Sequence, residues 1–488
     1  MNNEKNTRIL SGGQAVVELL KTQGVKHVFG LIGSATMELF DALYDAKDIR
    51  FIGVRDERTG THMADGYARA TGQPGIIIAG QNGPGATNLV TGVAQANAAF
   101  SPVISLAGAI ATEHVGKDGF QEIDQQALFE TITKKTWSIK QTNKIPEILN
   151  EAFNLALTPR CGPVHVNLPR DVLTDSGNFA EFNKFQKSSK PEVSNEDISK
   201  AIDIILSSSQ PVIIAGGGIK NTQGHKEVVK LAKILNIPIV SSAGHGDAIP
   251  FSENLYAGQM GPRGNPLASE LVKKADVILA LGTRLGFNST FFSYENINEQ
   301  ASIIQVDIEP TALGRYFPIS IGICADAKTI AKELYDKISL NNEITKIEKW
   351  TKYFLDERKK YLINRDAVAD LNIHPIQPTG LFKILRETLP INSSITLDAG
   401  TLCFQATDML NYSKPLSLFT PLDFGLVGFS FACGLGVKIA QPDRPVISLM
   451  GDGGFGMTIS ELSTAVDYGI NTTTIVMNNK SWGAEKAY

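Results

Sequence analysis

Short, largely apolar runs recur along this chain, each separated from the next by a segment with helical spacing. No other feature restricts the fold as much. The runs at 28–32, 51–54, 76–79 and 103–106 lack a polar alternate face, so each requires burial on both sides. Between them, Val16, Val17, Leu19 and Leu20 form the apolar stripe of a helix. A sheet with one wet face would show strict alternation instead, so the pattern predicts parallel sheets covered by helices. The rhythm returns at 211–215, 237–240, 277–280 and 303–306, and again at 395–398, 417–419, 446–450 and 473–477. A polar stretch at 184–195 and a charged helical stretch at 343–365 separate these groups. The chain therefore reads as α/β, with three doubly wound parallel-sheet domains at 8–175, 195–340 and 375–488. A length of 488 residues agrees with three domains.

The remaining composition narrows the function class. An apolar fraction of 43% sustains large cores. A net charge of −4 without long runs of one sign gives no nucleic-acid or membrane footprint. Cys161, Cys324, Cys403 and Cys433 lack metal-ligand spacing and fit buried thiols in a reducing compartment. The first residues are polar, and no apolar run has the length of a bilayer span. A cytoplasmic location is the expectation.

Two polar clusters interrupt the third group of strands. Gly451-Asp452-Gly453 follows the run at 446–450, with further glycines at 454 and 456, and Asn478-Asn479 follows the run at 473–477. Neighbouring parallel strands would bring the Asp452 carboxylate and the Asn479 amide oxygen to one sheet edge, where α/β folds bind ligands. The glycines let backbone approach phosphate oxygens. Oxygen-only donors suit Mg²⁺, with phosphate oxygens completing its shell. Each half alone is an ordinary turn; the spaced combination points to a diphosphate. The Gly216-Gly217-Gly218 run in the second group lacks the full dinucleotide fingerprint and reads as a tight turn.

The order and spacing of these clusters resemble the diphosphate-binding motif of thiamine-diphosphate-dependent enzymes. The resemblance implies that Asp452, Asn479 and the Ser481 carbonyl hold the metal while Gly451, Gly453 and Gly454 line the diphosphate. It also implies a thiamine-diphosphate-binding fold in the first and third domains, with a Rossmann-like domain between them. Glu57, in Arg55-Asp56-Glu57-Arg58 ahead of Ala64-Asp65-Gly66-Tyr67-Ala68-Arg69, resembles the family glutamate that bonds the cofactor's aminopyrimidine ring. A carboxyl there favours the imino tautomer, whose nitrogen removes the C2 proton to form the ylid. Taken alone, Glu57 is a solvated carboxylate at a helix start. Asp56 stands where relatives often carry His, and a second acid is expected to raise a neighbouring pKa.

Further segments carry the same resemblance. Asn82, Gly83, Pro84, Gly85 and Asn88 match the loop at the pyrimidine end of the cofactor. Gly33 and Ser34 match a loop on the substrate side, and Gln121 matches a glutamine near the reacting carbon. His114 is either an acid/base or a surface-loop residue. Glu113-His114 replaces the paired histidines of some decarboxylases of the family. Val427 matches the apolar residue that props the cofactor in a bent shape, and is smaller than the usual Ile, Leu or Met.

By segments, 32–35, 81–85, 119–122, 281–285 and 482–486 look most like the sulfoacetaldehyde acetyltransferase branch, and acetolactate synthase-like proteins share several of them. The implied reaction is ylid attack on sulfoacetaldehyde, sulfite release and acetyl transfer to phosphate. Condensation of 2-oxo acids is the alternative. The segment 283–287 replaces the Arg-Phe-Asp-Asp-Arg stretch that accompanies flavin in acetolactate synthases, so FAD is not expected. The family places its cofactor between two subunits, which implies a homodimer or tetramer. Because Tyr488 follows the metal motif closely, the third domain is expected to be incomplete. An inactive cofactor-binding fragment is then a further reading.

Overall fold

A computed structural model describes residues 7–185, 193–340 and 347–486. Parts of the expected 184–195 linker (186–192) and of the 343–365 helical stretch (343–346) therefore lie outside the described residues. The chain forms two compact units, each assembled from separated segments.

The first unit takes in Met1–Ser188, Leu426–Ser448 and Gly453–Thr474. Its strands are β1 (Arg8–Ser11), β2 (His27–Leu31), β3 (Arg50–Gly53), β4 (Gly75–Ala79), β5 (Val103–Ala109), β6 (Thr136–Ser138), β7 (Val164–Pro169) and β8 (Ser176–Phe179). Six of them make a sheet of order β3-β2-β4-β5-β7-β6, parallel throughout. Every residue of β4 is buried, as its wholly apolar sequence requires. Fully burying an isoleucine such as Ile76, Ile77 or Ile78 is worth roughly 1.5–3 kcal/mol, before the entropy of ordering the chain is subtracted. β1 and β8 add a small antiparallel pair.

The Glu57–Thr71 helix is largely buried in this unit. Asp56, in extended backbone, caps it by accepting the Arg58 N–H at 2.7 Å, and Gly72 ends it in the left-handed region. The Ser430–Ala440 helix crosses it at backbone distance. A Cβ on Gly436 would sit 1.9 Å from the Met63 carbonyl oxygen, and one on Gly66 would sit 2.4 Å from that of Cys433. Small residues on both helices permit this approach, and any side chain would force the helices apart.

The second unit takes in Ser189–Gly425, Leu449–Asp452 and Ile475–Tyr488. It holds β9 (Pro211–Ala215), β10 (Ile239–Ser241), β11 (Tyr256–Gln259), β12 (Val277–Leu281), β13 (Ser302–Asp307) and β14 (Ile321–Cys324). Their order, β11-β10-β9-β12-β13-β14, is the doubly wound Rossmann order, with all pairs parallel. The Gly216–Gly218 run serves packing. A Cβ on Gly216 would lie 2.3 Å from the Gly282 carbonyl oxygen, so the turns after β9 and β12 touch backbone to backbone. β15 (Ser394–Leu397), β16 (Leu418–Phe419), β17 (Val446–Gly451) and β18 (Thr473–Met477) form a four-stranded sheet of order β16-β15-β17-β18. The start of β16 is tied by a buried ion pair. Lys220 meets Asp247 at 3.0 Å and donates to the Leu418 carbonyl, while Asp247 accepts the N–H groups of Ser417 and Leu418.

No helix among the described residues is long and apolar enough to cross a membrane. No disulfide forms among the described residues, and Cys403 and Cys433 are buried.

Candidate active site

Glu57 is the first residue of its helix and is only 3% exposed. The Asp56 cap turns the chain so that the next side chain points into protein rather than water. Asn88 Nδ2 donates to one carboxyl oxygen at 3.0 Å. A Cβ on Gly85 would come within 3.1 Å of the other, so position 85 leaves the carboxyl its room. Burial raises the Glu57 pKa from its ordinary value, against the hydrogen bonds from Asn88 and its own backbone, and the Asp56 charge adds a smaller upward push. The carboxyl is therefore buried and fixed, unlike a solvated helix-start glutamate.

Three loops meet beyond the ends of β2, β4 and β5, which are consecutive in the sheet. The Ser34 hydroxyl and the Ala35 N–H donate to Gln81 Oε1 at 3.2 and 3.3 Å. Gln81 Nε2 donates to Gln121 Oε1 at 2.7 Å. Asn82 Nδ2 donates to the carbonyls of Phe120 and Gln121. A Cβ on Gly33 would strike the Gly80 carbonyl at 2.5 Å, and one on Gly83 would strike Gln121 O at 2.6 Å. Gln121 itself has a left-handed backbone, φ 62°. It is half-buried and fixed rather than a free loop glutamine. The structure thus brings together Gly33, Ser34, Asn82, Gly83 and Gln121, while Pro84, Gly85 and Asn88 begin the Pro84–Ala98 helix beside Glu57.

His114 does not join this network. It sits exposed in a short turn, Thr112–His114, with Nε2 3.4 Å from the more exposed Glu113 carboxylate. Val427 is half-buried in the turn before the Ser430–Ala440 helix. The next residue, Gly428, has φ 86°, and a Cβ there would lie 3.1 Å from that of Met457.

A buried polar chain supports the Gly83 turn, and sequence reading passed over it. The Gly83 N–H donates to Gln125 Oε1, and Gln125 Nε2 donates to Asn167 Oδ1 at 2.6 Å. His165 Nε2 reaches the same oxygen at 2.9 Å, and its Nδ1 meets the Ser105 hydroxyl at 3.0 Å. Burial lowers the His165 pKa to about 4, so the ring is neutral at pH 7 and stacks on Phe129 at 3.7 Å. The signal was a polar residue at every second position, His165 and Asn167, within the otherwise apolar β7.

The second cluster is open where the first is closed. β17 ends at Gly451, and Asp452 begins the short Asp452–Gly456 helix, which includes Gly453 and Gly454. Cβ atoms on Gly451 and Gly456 would meet empty space. The Asp452 side chain makes no hydrogen bond or ion pair among the described residues. After β18, the neighbour of β17, Asn478 Oδ1 accepts the Lys480 N–H at 3.1 Å and Asn479 Oδ1 accepts the Ser481 N–H at 3.0 Å. These bonds curl residues 478–481 into a turn that presents oxygens. One carboxylate, one amide oxygen and one carbonyl are hard donors that fit Mg²⁺. Among the described residues, no group of three or more His, Cys, Asp or Glu side chains could hold a metal alone. A metal at Asp452 would need oxygen ligands from elsewhere, and phosphates are such ligands. The open glycines leave space for them.

Comparison with known proteins assigns the family. Residues 10–128 match the N-terminal thiamine pyrophosphate (thiamine diphosphate) binding domain of thiamine pyrophosphate enzymes. Residues 198–334 match the central domain, and 398–488 match the C-terminal thiamine pyrophosphate binding domain. The chain belongs to the thiamine pyrophosphate enzymes. It is 34% identical over 490 residues to a probable acetolactate synthase large subunit of Methanocaldococcus jannaschii, covering 97% of this chain and 81% of that protein. It is 33% identical over 503 residues to a sulfoacetaldehyde acetyltransferase of Alcaligenes xylosoxydans xylosoxydans, covering 98% and 82%. Acetolactate synthase isozyme 3 large subunit of Escherichia coli is 31% identical over 488 residues, covering 98% and 84%. The expected incompleteness of the third domain finds no support, because the C-terminal domain is matched through residue 488 and its sheet is formed.

Proposed function

We propose that this thiamine-diphosphate-dependent enzyme is a transferase that converts sulfoacetaldehyde and phosphate to acetyl phosphate and sulfite. Glu57 is the observation that carries a catalytic reading: a buried carboxyl with a raised pKa, held by Asn88 at a position kept open by Gly85. When bound, the cofactor supplies a carbon nucleophile that adds to a carbonyl carbon and holds the electron pair released by bond cleavage. Glu57 is the group that would hold or release the proton facing the cofactor's pyrimidine nitrogen, and burial favours its protonated form more than in a solvated glutamate. Gln121 uses its amide oxygen on Gln81, so it offers a substrate its NH₂ group as a donor to the carbonyl oxygen. His114 stands exposed as a proton donor or acceptor for the entering or leaving group. Asp452, Asn479 and the Ser481 carbonyl would hold Mg²⁺, Gly451, Gly453 and Gly454 would admit the diphosphate, and Val427 would support the cofactor. A homodimer is the smallest assembly in this reading, and no flavin is required.

The Methanocaldococcus and Escherichia relatives favour a second reading, condensation of 2-oxo acids to acetolactate. The two are separated by incubating the protein with Mg²⁺, thiamine diphosphate, phosphate and sulfoacetaldehyde, and separately with pyruvate. Sulfite and acetyl phosphate from the first mixture support the transferase. Acetolactate from the second, with no sulfite from the first, replaces it with the carboligase. Cofactor binding without either product favours a non-catalytic chain.

A further inference from the structure

A fully buried carboxylate lies against the segment that carries Glu57. Glu461 opens the short Glu461–Asp467 helix and has no exposed surface. One of its oxygens accepts the Arg55 N–H at 3.0 Å and the Thr59 hydroxyl at 2.5 Å, and the other accepts the Thr464 hydroxyl at 2.6 Å. The Thr59 hydroxyl also lies 2.8 Å from the Asp56 carbonyl. Two oxygens at 2.5 Å need a proton between them, so that proton points to Glu461. A carboxylate is tenable without water only when donors surround it, and removing one partner strands the rest. Arg55 and Thr59 stand two residues before and after Glu57, so Glu461 clasps the first helical turn on both sides of it.

The clasp is one of several ties to the same segment. Gly53 N–H donates to the Tyr468 hydroxyl at 2.8 Å, Arg50 donates to the Tyr468 carbonyl at 2.6 Å, and Arg58 donates to the Met457 carbonyl at 2.8 Å. Arg55 donates to the Ser463 hydroxyl at 2.6 Å and pairs with Asp467. A Cβ on Gly53 would lie 2.9 Å from the Tyr468 hydroxyl, so glycine there admits the contact. The tied segment, 457–468, directly follows the glycine-rich turn after Asp452 in the chain. Exposed ties such as Arg55–Asp467 are weak individually; Glu461 is the member whose loss cannot be replaced by water.

We propose that Glu461 is a positioning residue, fixing the first turn of the Glu57–Thr71 helix and so the placement of the Glu57 carboxyl. This rests on the reading of Glu57 as the proton-handling group. The test compares wild type, Glu57→Gln, Glu461→Gln and Thr59→Val as full chains. Three quantities are measured: amide hydrogen exchange of residues 54–60 without cofactor, the Kd for thiamine diphosphate with Mg²⁺, and the exchange rate of the thiazolium C2 proton at saturating cofactor. For Glu461→Gln we expect faster amide exchange, a Kd within about threefold of wild type, and C2 exchange slowed roughly 10- to 100-fold, the range that follows from small misplacement of a catalytic group. The double variant Glu57→Gln/Glu461→Gln should be no slower than Glu57→Gln. Thr59→Val, close to isosteric, should show the same pattern more weakly and serves if Glu461→Gln does not fold. A lower melting temperature with unchanged C2 exchange per bound cofactor would overturn the proposal, leaving Glu461 purely structural. Wild-type C2 exchange in Glu57→Gln would instead sink the underlying reading of Glu57.

Discussion

The Glu57 region and the Asp452–Ser481 region are built on opposite principles. Around Glu57 the protein supplies close neighbours: Asn88 bonds the carboxyl, Gly85 makes room for it, and further along the same helix Gly66, with Gly436 on the crossing helix, allows a crossing at backbone distance. Around Asp452 the protein supplies almost nothing. The carboxylate has no hydrogen-bond or ion-pair partner among the described residues, and Gly451 and Gly456 face open space. A group that must hold a proton at a set pKa gains from being fixed before any ligand arrives, because the environment that shifts the pKa is then permanent. A site that is to be completed by a metal and a diphosphate needs its carboxylate unpaired. The contrast predicts that changes in the first region alter chemistry or stability, and that changes in the second alter binding.

The largest expected effect tests the closed side. Glu57→Gln keeps the shape and the Asn88 contact but removes the titrating carboxyl. Loss of a general acid–base group typically costs about 10²- to 10⁴-fold, and C2-proton exchange should fall by that order while the cofactor Kd stays within a few-fold. Lost cofactor binding instead would show that Glu57 is structural. The same variant carries a pH signature. Because burial raises the folded-state pKa, the folded chain binds more protons than the unfolded one between the two pKa values. Stability from this group is therefore full at acid pH and declines as pH rises through the raised value. Glu57→Gln should melt higher than wild type at neutral pH, with the gain vanishing below the normal carboxylate pKa.

Asp452→Ala tests the open side and should do the reverse. It removes the only carboxylate of the candidate metal set, so Mg²⁺-dependent cofactor binding should weaken on the order of 100-fold or more, the upper end of what even outer-shell changes at metal sites produce. The melting temperature without cofactor should barely move, since the Asp452 side chain makes no hydrogen bond or ion pair among the described residues. Calorimetric titration with and without Mg²⁺ decides it: unchanged metal-dependent binding would remove Asp452 from the site. A smaller effect separates packing from chemistry. Gly436→Val would place a methyl-bearing carbon 1.9 Å from the Met63 carbonyl, and overpacking of this kind costs about 1–3 kcal/mol. Urea denaturation should show that loss, whereas a neutral result would mean that the helix crossing is looser than its geometry.

The two regions also differed in how much of them a sequence reveals. The parallel sheets were legible because buried strands such as β4 and β12 are uninterrupted apolar runs. β11, Tyr-Ala-Gly-Gln, and β14, Ile-Gly-Ile-Cys, were missed because each is short and interrupted by glycine. The antiparallel pair β1–β8 joins segments about as far apart as the first domain allows, and local pattern does not carry such pairing. In the candidate site, motif residues with unusual chemistry, Asp452, Asn479 and Glu57, stood out. The residues that fix them did not. Glu461 reads as an ordinary helix-start acid, and Gln125 as one of many glutamines. Their roles arise from partners remote in sequence, Arg55 and Thr59 in one case and Asn167 in the other.

The smallest effect probes how dry the closed region is. His62 is 1% exposed on the Glu57–Thr71 helix, lies edge-on to Phe429 with ring centroids 5.5 Å apart, and leaves Nδ1 without a hydrogen-bond partner among the described residues. Burial, helped by the Arg58 charge, lowers its pKa from 6.5 to about 3. The folded chain then keeps this ring neutral down to about pH 3, while the unfolded chain protonates it below 6.5. Between those values the unfolded state binds more protons, so stability is full above pH 6.5 and falls as pH drops toward about 3. One such group contributes a slope of at most about 1.4 kcal/mol per pH unit. His165 acts in the same sense between 6.5 and about 4. His62→Leu removes one titrating group and fills similar space, so urea denaturation between pH 7 and 5 should show a flatter decline than wild type, by about one proton in the linkage. An unchanged decline would mean that His62 is already charged or hydrated in the folded chain. The packed surroundings credited with shifting Glu57, five residues away on the same helix, would then be wetter than the structure shows.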